Sequence, residues 1–537
     1  MDEQKNINHL VADWQSLTNI FIKPEDDTCH NTLIKYMRQI LFGLHDFLNK
    51  NVGITEEFAL ESLLKNFENT EINENPEKKL SEVITGIINN LAPHAVNVAS
   101  PYFVGHMTSA IPFFMVHLKT IVAALNQNVV KLETSKVFSV VEKQVIAKIH
   151  RLIYKHSESF YKRHVQNTRT ALGTFTSGGT SANLTALWVA RNKVFAPTRG
   201  FRGIEEEGIA AAYEAYNVKR SVVLVSRRGH YSFRKSGGIL GIGSKNIIII
   251  DVDENNRMDL KHLRRTVERL QKEGNTRILA IVGIAGTTET GNIDPLKEIG
   301  MLCREYRVHF HVDAAWGGPT LVSEKYKQLF DGIELADSVT IDGHKQFYMP
   351  MSCGMLYFKD PTDMDVIAYY ANYVNRRESV DLGKKTLAGS REANSLILDS
   401  ALKVMGRRGY ALLIDHGIDT AHLFAEEIEK RELLELVTPP ELNILTYRVC
   451  PDHVKKELET KKEYERKQIN RYLNQINKTI QRLQREAGNS FVSRTTLTNA
   501  GGHDVVVFRC VIMNPMTDMT ILKKILDEQE DIYRSLR

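Results

Sequence analysis

Between about residues 170 and 360 the chain alternates short β-branched runs with stretches of helical spacing, and this restricts its fold more than any other feature. The runs fall at 221–226, 246–252, 278–284, 308–312, 338–341 and 355–358. Helical spacing occupies 182–192, 260–272 and 295–306. A strand that returns through a helix to a further strand keeps its direction, so a largely parallel α/β sheet covered on both faces is expected. Ligands of such sheets gather at the carboxyl ends of the strands. Nearly every run here is followed by glycines or polar residues suited to that position.

The flanks have other textures. Residues 1 to about 95 space apolar residues by three and four, as at 30–49 and 56–67, and read as helical, with a polar loop at 73–79 around Pro76. From about 376 the chain is more charged. Tyr464, Ile469, Leu473, Ile476, Ile480 and Leu483 mark a helix face within 452–486, read as a solvated surface helix. A strand at 504–512 and a last helix from about Met516 complete a small α+β unit. With 537 residues, two to four domains are expected. The divisions are a helical segment at 1–100, a large α/β domain at 101–375 and a small α+β domain at 376–537.

Composition excludes several classes. Seventy basic residues against 65 acidic ones give a formal charge of +5, too dilute for a nucleic-acid face. Five cysteines, far apart and without metal or redox spacing, suit a reduced, cytoplasmic setting. The opening MDEQKNINHL lacks the character of a signal peptide. The most apolar long stretch, 111–125, contains His117 and Lys119 and is too short to span a membrane.

Four pieces carry chemistry. Asp342-Gly343-His344-Lys345 follows a strand, where a lysine is placed to form a Schiff base with an aldehyde cofactor. Asp313 ends the run His309-Phe310-His311-Val312 and precedes Ala314 and Ala315; a carboxylate there would pair with a pyridinium nitrogen, and the small residues would admit a flat ring. A rival use of the same stretch is metal ligation, because His309, His311 and Asp313 share one strand face; no further ligand cluster accompanies them. Thr176-Ser177-Gly178-Gly179-Thr180-Ser181 opens a helix and offers amide and hydroxyl donors to a phosphate. It lacks the lysine of a P-loop. His230, just past the run at 221–226, would stack on a cofactor ring. Each piece alone has an ordinary structural reading: a surface lysine, a turn carboxylate, a helix cap, a packed histidine.

Taken in order, TSGGTSAN, HYSFRKSGG, GTTETGNIDP, HVDAAWGG and DGHKQFYMPMSCG resemble the group II pyridoxal-5′-phosphate (PLP) dependent amino acid decarboxylases over about residues 101–410. The resemblance implies the type I PLP-dependent transferase fold, a mostly parallel seven-stranded sheet flanked by helices. It also implies a homodimer with shared active sites, in which 1–100 serves dimerisation. Lys345 would tether the cofactor and Asp313 would pair with its ring nitrogen. His230 and Ala315 would contact the two ring faces. Gly179, Thr180 and His344 would hold phosphate, and Thr288 would lie near the ring's phenolic oxygen. Arg391 would meet the substrate carboxylate, and Tyr373, with Tyr370 as the alternative, would return a proton after carbon dioxide leaves. Many relatives carry Asn-Pro-His-Lys where this chain has Asp342-Gly343-His344-Lys345, so Asp342 brings a negative charge near the phosphate.

The segment 101–109 and the stretch 126–128 resemble pocket-lining parts of the family. His106, Thr108 and Gln127 there, with Arg391, favour an acidic substrate over an aromatic one. The texture is most similar to bacterial aspartate 1-decarboxylases, so L-aspartate to β-alanine is expected first and L-glutamate to γ-aminobutyrate next. Decarboxylation of an aromatic amino acid, another type I PLP reaction, or a non-catalytic or metal-binding relative are the remaining alternatives.

Overall fold

The computed structural model describes residues 27–49, 52, 60–370, 379, 381–498 and 502–536. Its centre is a seven-stranded sheet: β1 (Gly173–Thr176), β2 (Arg220–Ser226), β3 (Ile247–Ile250), β4 (Thr276–Ile284), β5 (His309–Asp313), β6 (Ser338–Asp342) and β7 (Gly354–Phe358), in the order β1-β7-β6-β5-β4-β2-β3. β7 runs antiparallel to both of its neighbours, and the other pairs are parallel. The register sets Ile284 beside Asp313 and Asp313 beside Thr340, so β4, β5 and β6 reach their carboxyl ends together.

Both faces of this sheet are buried, which is why its strands read as continuous apolar runs. Val222 and Leu224 of β2 face one cluster with Phe310, while Val223 and Val225 face another with Leu187. Four helices matter most here: α1 (Phe113–Leu125), α2 (Val137–Tyr154), α3 (Gly179–Val194) and α4 (Leu260–Lys272). α3 covers the Val223 face through Leu187 and Ala190. α4 covers the other through Leu263, Val267 and Leu270, joined by Leu296, Ile299 and Leu302 of α5 (Leu296–Tyr306). α4 starts where Asp259 accepts from the amides of Lys261 and His262, a side-chain cap for otherwise unpaired donors.

A long helix, α6 (Asn394–Glu429), bends at Gly406, whose φ of 63° lies in the left-handed region, and leads to a second sheet. β8 (Leu434–Thr438), β9 (Ile444–Val449), β10 (Ser493–Thr498) and β11 (Asp504–Val511) pair antiparallel in the order β10-β11-β9-β8. α7 (Glu463–Ala487) and α8 (Met519–Ser535) cover it, burying Ile480, Leu522 and Leu526 against Tyr447 and Phe508. The segment before α1 is fastened to this sheet. Val104 donates to Phe491 and accepts from Val511, and Phe103 stacks on Phe491 with ring centres 5.0 Å apart.

The expected strands appear with their ends shifted by a few residues at most. The four-residue β1 and the helices α2 and α6 had no counterpart in the sequence reading. The helix read at 452–486 is two, Asp452–Thr460 and α7. It is less solvated than expected: Asn477 is buried and bonds both the amide and the carbonyl of Val449, whereas Tyr464 is exposed. Burying an amide is cheap when both its ends are paired.

Candidate active site

The carboxyl ends of β4, β5 and β6 and the start of α3 surround a cavity of about 380 Å3. Gly179, Thr180, His230, Thr288, Asp313, Ala315, His344 and Lys345 all line it, with His106 and Thr108 on the side of the segment held by the second sheet. Pieces more than 150 residues apart in sequence thus share one wall because each follows a strand of the same sheet edge.

Asp313 is buried, and no cation pairs with it among the described residues. Its Oδ2 accepts from Asn183 Nδ2 at 2.9 Å and its Oδ1 from the Ala315 amide at 3.1 Å. A relay behind it fixes that geometry. His309 Nε2 and His311 Nδ1 each lie 2.8 Å from Ser338 Oγ, and His311 Nε2 lies 3.0 Å from Asn183 Oδ1. One consistent assignment runs His309 to Ser338 to His311 to Asn183 to Asp313, each donating to the next. Burial pushes both histidines down to about 3, so they are neutral and able to play these donor and acceptor parts. Both nitrogens of His311 and Nε2 of His309 are engaged in this relay, His309 Nδ1 has no hydrogen-bond partner, and no cluster of three metal-ligating side chains occurs among the described residues.

Ser232 ties His230 to the same frame. Its amide donates to His230 Nδ1 at 3.2 Å, and its hydroxyl accepts from Asn183 at 3.2 Å. His230 is held below its ordinary value by burial first, with Lys345 acting in the same direction and Asp313 opposing. The imidazole is therefore neutral at pH 7 with its proton on Nε2.

At the opposite wall, Lys345 Nζ lies 3.0 Å from Asp342 Oδ2. His344 Nδ1 sits 2.6 Å from the Cys353 carbonyl, which fixes the ring beside the start of α3. A Cβ on Gly354 would come within 2.5 Å of the Gly178 backbone, so that position requires glycine for close approach, and one on Gly179 would be in tight contact with Asp342 Oδ2 at 3.0 Å. Ser177 and Ser181 hydroxyls lie 2.8 Å apart at the same helix start.

Arg391 and Gln127 are not brought to this wall. Both terminal nitrogens of Arg391 bond the buried Glu142, at 3.0 and 2.6 Å, so the fork expected for substrate is engaged within the chain. Gln127 Nε2 donates to the Leu125 carbonyl. Tyr373 lies outside the described residues; Tyr370 is half exposed. Sequence reasoning missed Asn183, Ser232 and Arg509. Arg509, buried in β11, donates from Nε to the Thr288 carbonyl at 2.6 Å and from Nη1 to the Gly105 carbonyl at 3.1 Å, while its Nη2 has no partner. A lone arginine in the apolar run of β11 was the available signal.

This donor set fits pyridoxal phosphate: a lysine amine, a buried carboxylate without a cation, a flat neutral imidazole and a glycine–hydroxyl helix start. A family model described as the pyridoxal-dependent decarboxylase conserved domain matches residues 62–450. The chain belongs to this family. It is a PLP-dependent carboxy-lyase with the type I fold. An aspartate 1-decarboxylase of Aliivibrio fischeri is 44% identical over 526 residues, covering 98% of this chain and 95% of that protein. An L-2,4-diaminobutyrate decarboxylase of Rhizobium meliloti is 32% identical over 69% of this chain and 70% of its own length. The crystal structure of mouse CSAD superposes with a TM-score of 0.79 at 23% identity, covering 93% of this chain and 99% of that one, a likeness of fold.

Proposed function

We propose that the protein decarboxylates L-aspartate to β-alanine and carbon dioxide. The near full-length similarity to an aspartate 1-decarboxylase supports this choice within the family. The observation in the site that carries it is Arg509: a buried guanidinium beside the cavity, with Nη2 unpaired and no ion-pair carboxylate among the described residues. Burial lowers it to about 10, so it is still a cation at neutral pH, and an acidic substrate supplies the missing anion. Arg509 also helps lower His106, after burial itself, which keeps that cavity-lining ring neutral.

Bound PLP supplies the aldehyde that captures the substrate amine and the ring that takes up the electrons left by carbon dioxide. The chain does the rest. Lys345 would provide the amine that holds the cofactor. Asp313 would hold a proton at the ring nitrogen, and its Asn183 and Ala315 donors keep it aimed. His230 and Ala315 would contact the ring, Thr288 would serve its phenolic oxygen, and Gly179, Thr180 and His344 would hold the phosphate; all of them line the one cavity. His106 and Thr108, 3.2 Å apart, bound the substrate end. Tyr373 is our choice for the acid that protonates the product carbon.

We further propose a cytoplasmic homodimer with shared sites, in which residues 1–100 serve dimerisation beside the large and small domains at 101–375 and 376–537. Exposed Leu41, Phe42, Phe113, Val116 and Ile121 on the early helices support an apolar partner face. Cys303, Cys353, Cys450 and Cys510 are free and buried, in keeping with a reducing compartment. No described helix is long and apolar enough to cross a membrane.

The deciding experiment incubates the purified protein and PLP with aspartate, glutamate, 2,4-diaminobutyrate and aromatic amino acids and identifies the amine formed. β-Alanine is expected as the fastest product. Faster turnover of a cationic or aromatic substrate would refute the assignment. Light scattering is expected to give twice the chain mass; a monomer active at the same specific rate would remove the shared-site arrangement.

A further inference from the structure

Asp342 has no role in the scheme above, yet it lies between Lys345 and the start of α3, where a phosphate would be held. It ends β6, and its amide donates to the Ala315 carbonyl, so the side chain is fixed at the sheet edge. The carboxylate is buried. Oδ2 lies 3.0 Å from Lys345 Nζ and 3.8 Å from His344 Nε2, while Oδ1 has no hydrogen-bond partner. Both oxygens face the first residue of α3: a Cβ on Gly179 would stand 3.0 and 3.3 Å from them.

The start of a helix presents unpaired amides and the positive end of the helix dipole, the feature that favours phosphate here. Asp342 brings a fixed negative charge into the same field. Two anions sharing one helix start in a partly desolvated cavity repel each other, and the Lys345 ammonium offsets only one of them. An uncharged amide of the same shape would keep the packing and remove the repulsion.

We propose that Asp342 is a built-in competitor of the cofactor's phosphate, an anion at the start of α3 that holds Lys345 and sets how tightly the chain retains phosphorylated ligands. The proposal rests on the assignment of Lys345 and the α3 start to PLP, and is independent of the amino acid decarboxylated.

The test uses the full chain freed of cofactor and titrated at one pH and ionic strength with pyridoxal 5′-phosphate and, separately, with pyridoxal. Binding is followed by absorbance and by quenching of tryptophan fluorescence. The readout is the ratio of the two affinities, which cancels effects on aldehyde capture common to both ligands. In Asp342→Asn this ratio is expected to rise about tenfold, the effect of removing one like charge several ångström away. Inorganic phosphate should also compete at proportionally lower concentration. Asp342→Ser carries the same expectation and serves if the amide variant does not fold. A ratio within twofold of wild type, or a lower one, overturns the proposal. Equal gains or losses for both ligands do so too, because Asp342 would then act through Lys345 alone. If borohydride reduction of the wild-type complex leaves the pyridoxyl group on another lysine, the premise fails together with the Lys345 assignment, an outcome separable from the ratio.

Discussion

The loop before α6 carries a partly buried arginine and the strand β11 a buried one, and the two are handled in opposite ways. In the loop, Arg391 gives both terminal nitrogens to Glu142, its amide donates to Asn128 Oδ1, and its carbonyl accepts from Val129. In β11, Arg509 meets only neutral oxygens and leaves Nη2 unpaired. A buried cation with a carboxylate partner clamps two pieces of chain together. One without such a partner retains an unsatisfied charge that a ligand can meet. The residue type alone did not separate the two; the neighbours did.

Exchanging each arginine for methionine probes that difference, and the largest effect is expected in β11. Arg509→Met should lower kcat/KM for aspartate on the order of a thousandfold, as for truncation of a buried charge pair, with a melting temperature close to wild type. Arg391→Met should instead leave Glu142 buried and unpaired, at a stability cost of about 3–5 kcal/mol, with kcat/KM per folded molecule within about tenfold. Denaturant curves and steady-state kinetics on both variants read the two effects. An Arg391→Met protein that keeps its stability but loses aspartate affinity would invert the comparison.

The relay behind Asp313 gives a smaller, sharper test. Asn183→Ala removes the donor on Asp313 Oδ2 and the acceptor of His311 without touching the cavity charge. A loss of about tenfold in kcat with little change in KM is expected for a group that acts through another. An unchanged kcat would mean that the Ala315 amide alone suffices to aim Asp313.

The sheet and most of the cavity wall were legible because both obey local rules. Strands buried on two faces give unbroken apolar runs, and the functional residues sit directly after them, as Asp313 and Lys345 do. β1 was not legible, since four residues with a two-sided neighbourhood carry too little pattern. Arg509 and Asn183 were missed for a different reason: each sits inside a regular element, and its meaning depends on what lies across the fold from it. Asn183 belongs to α3 yet points at β5, a relation that spans 130 residues. Arg391 shows the converse. Its motif was readable, but the presence of Glu142 on α2 was not.

A last effect, on stability alone, concerns the two histidines of that relay. His311 is buried and His309 largely so, and both are pushed from 6.5 to about 3, His309 by burial and then Lys193, His311 by burial against the opposing charge of Asp313. A histidine lowered in the folded state binds its proton mainly after unfolding. Its contribution is therefore complete above about pH 6.5 and is lost progressively as the pH falls toward 3. Between pH 7 and pH 5 each imidazole should remove on the order of 2 kcal/mol. Asp294, a buried carboxylate raised to about 7, shifts stability the other way in this range. It is common to wild type and variant, so it cancels in the comparison. His309→Gln retains a donor for Ser338 and deletes one titration. Urea unfolding at pH 7, 6 and 5 should show the variant losing less stability than wild type, by about that amount at pH 5. Parallel losses would mean that His309 gains its proton without leaving the fold, and that the relay tolerates a charge beside Asp337, whose Oδ2 lies 3.9 Å from His309 Nδ1.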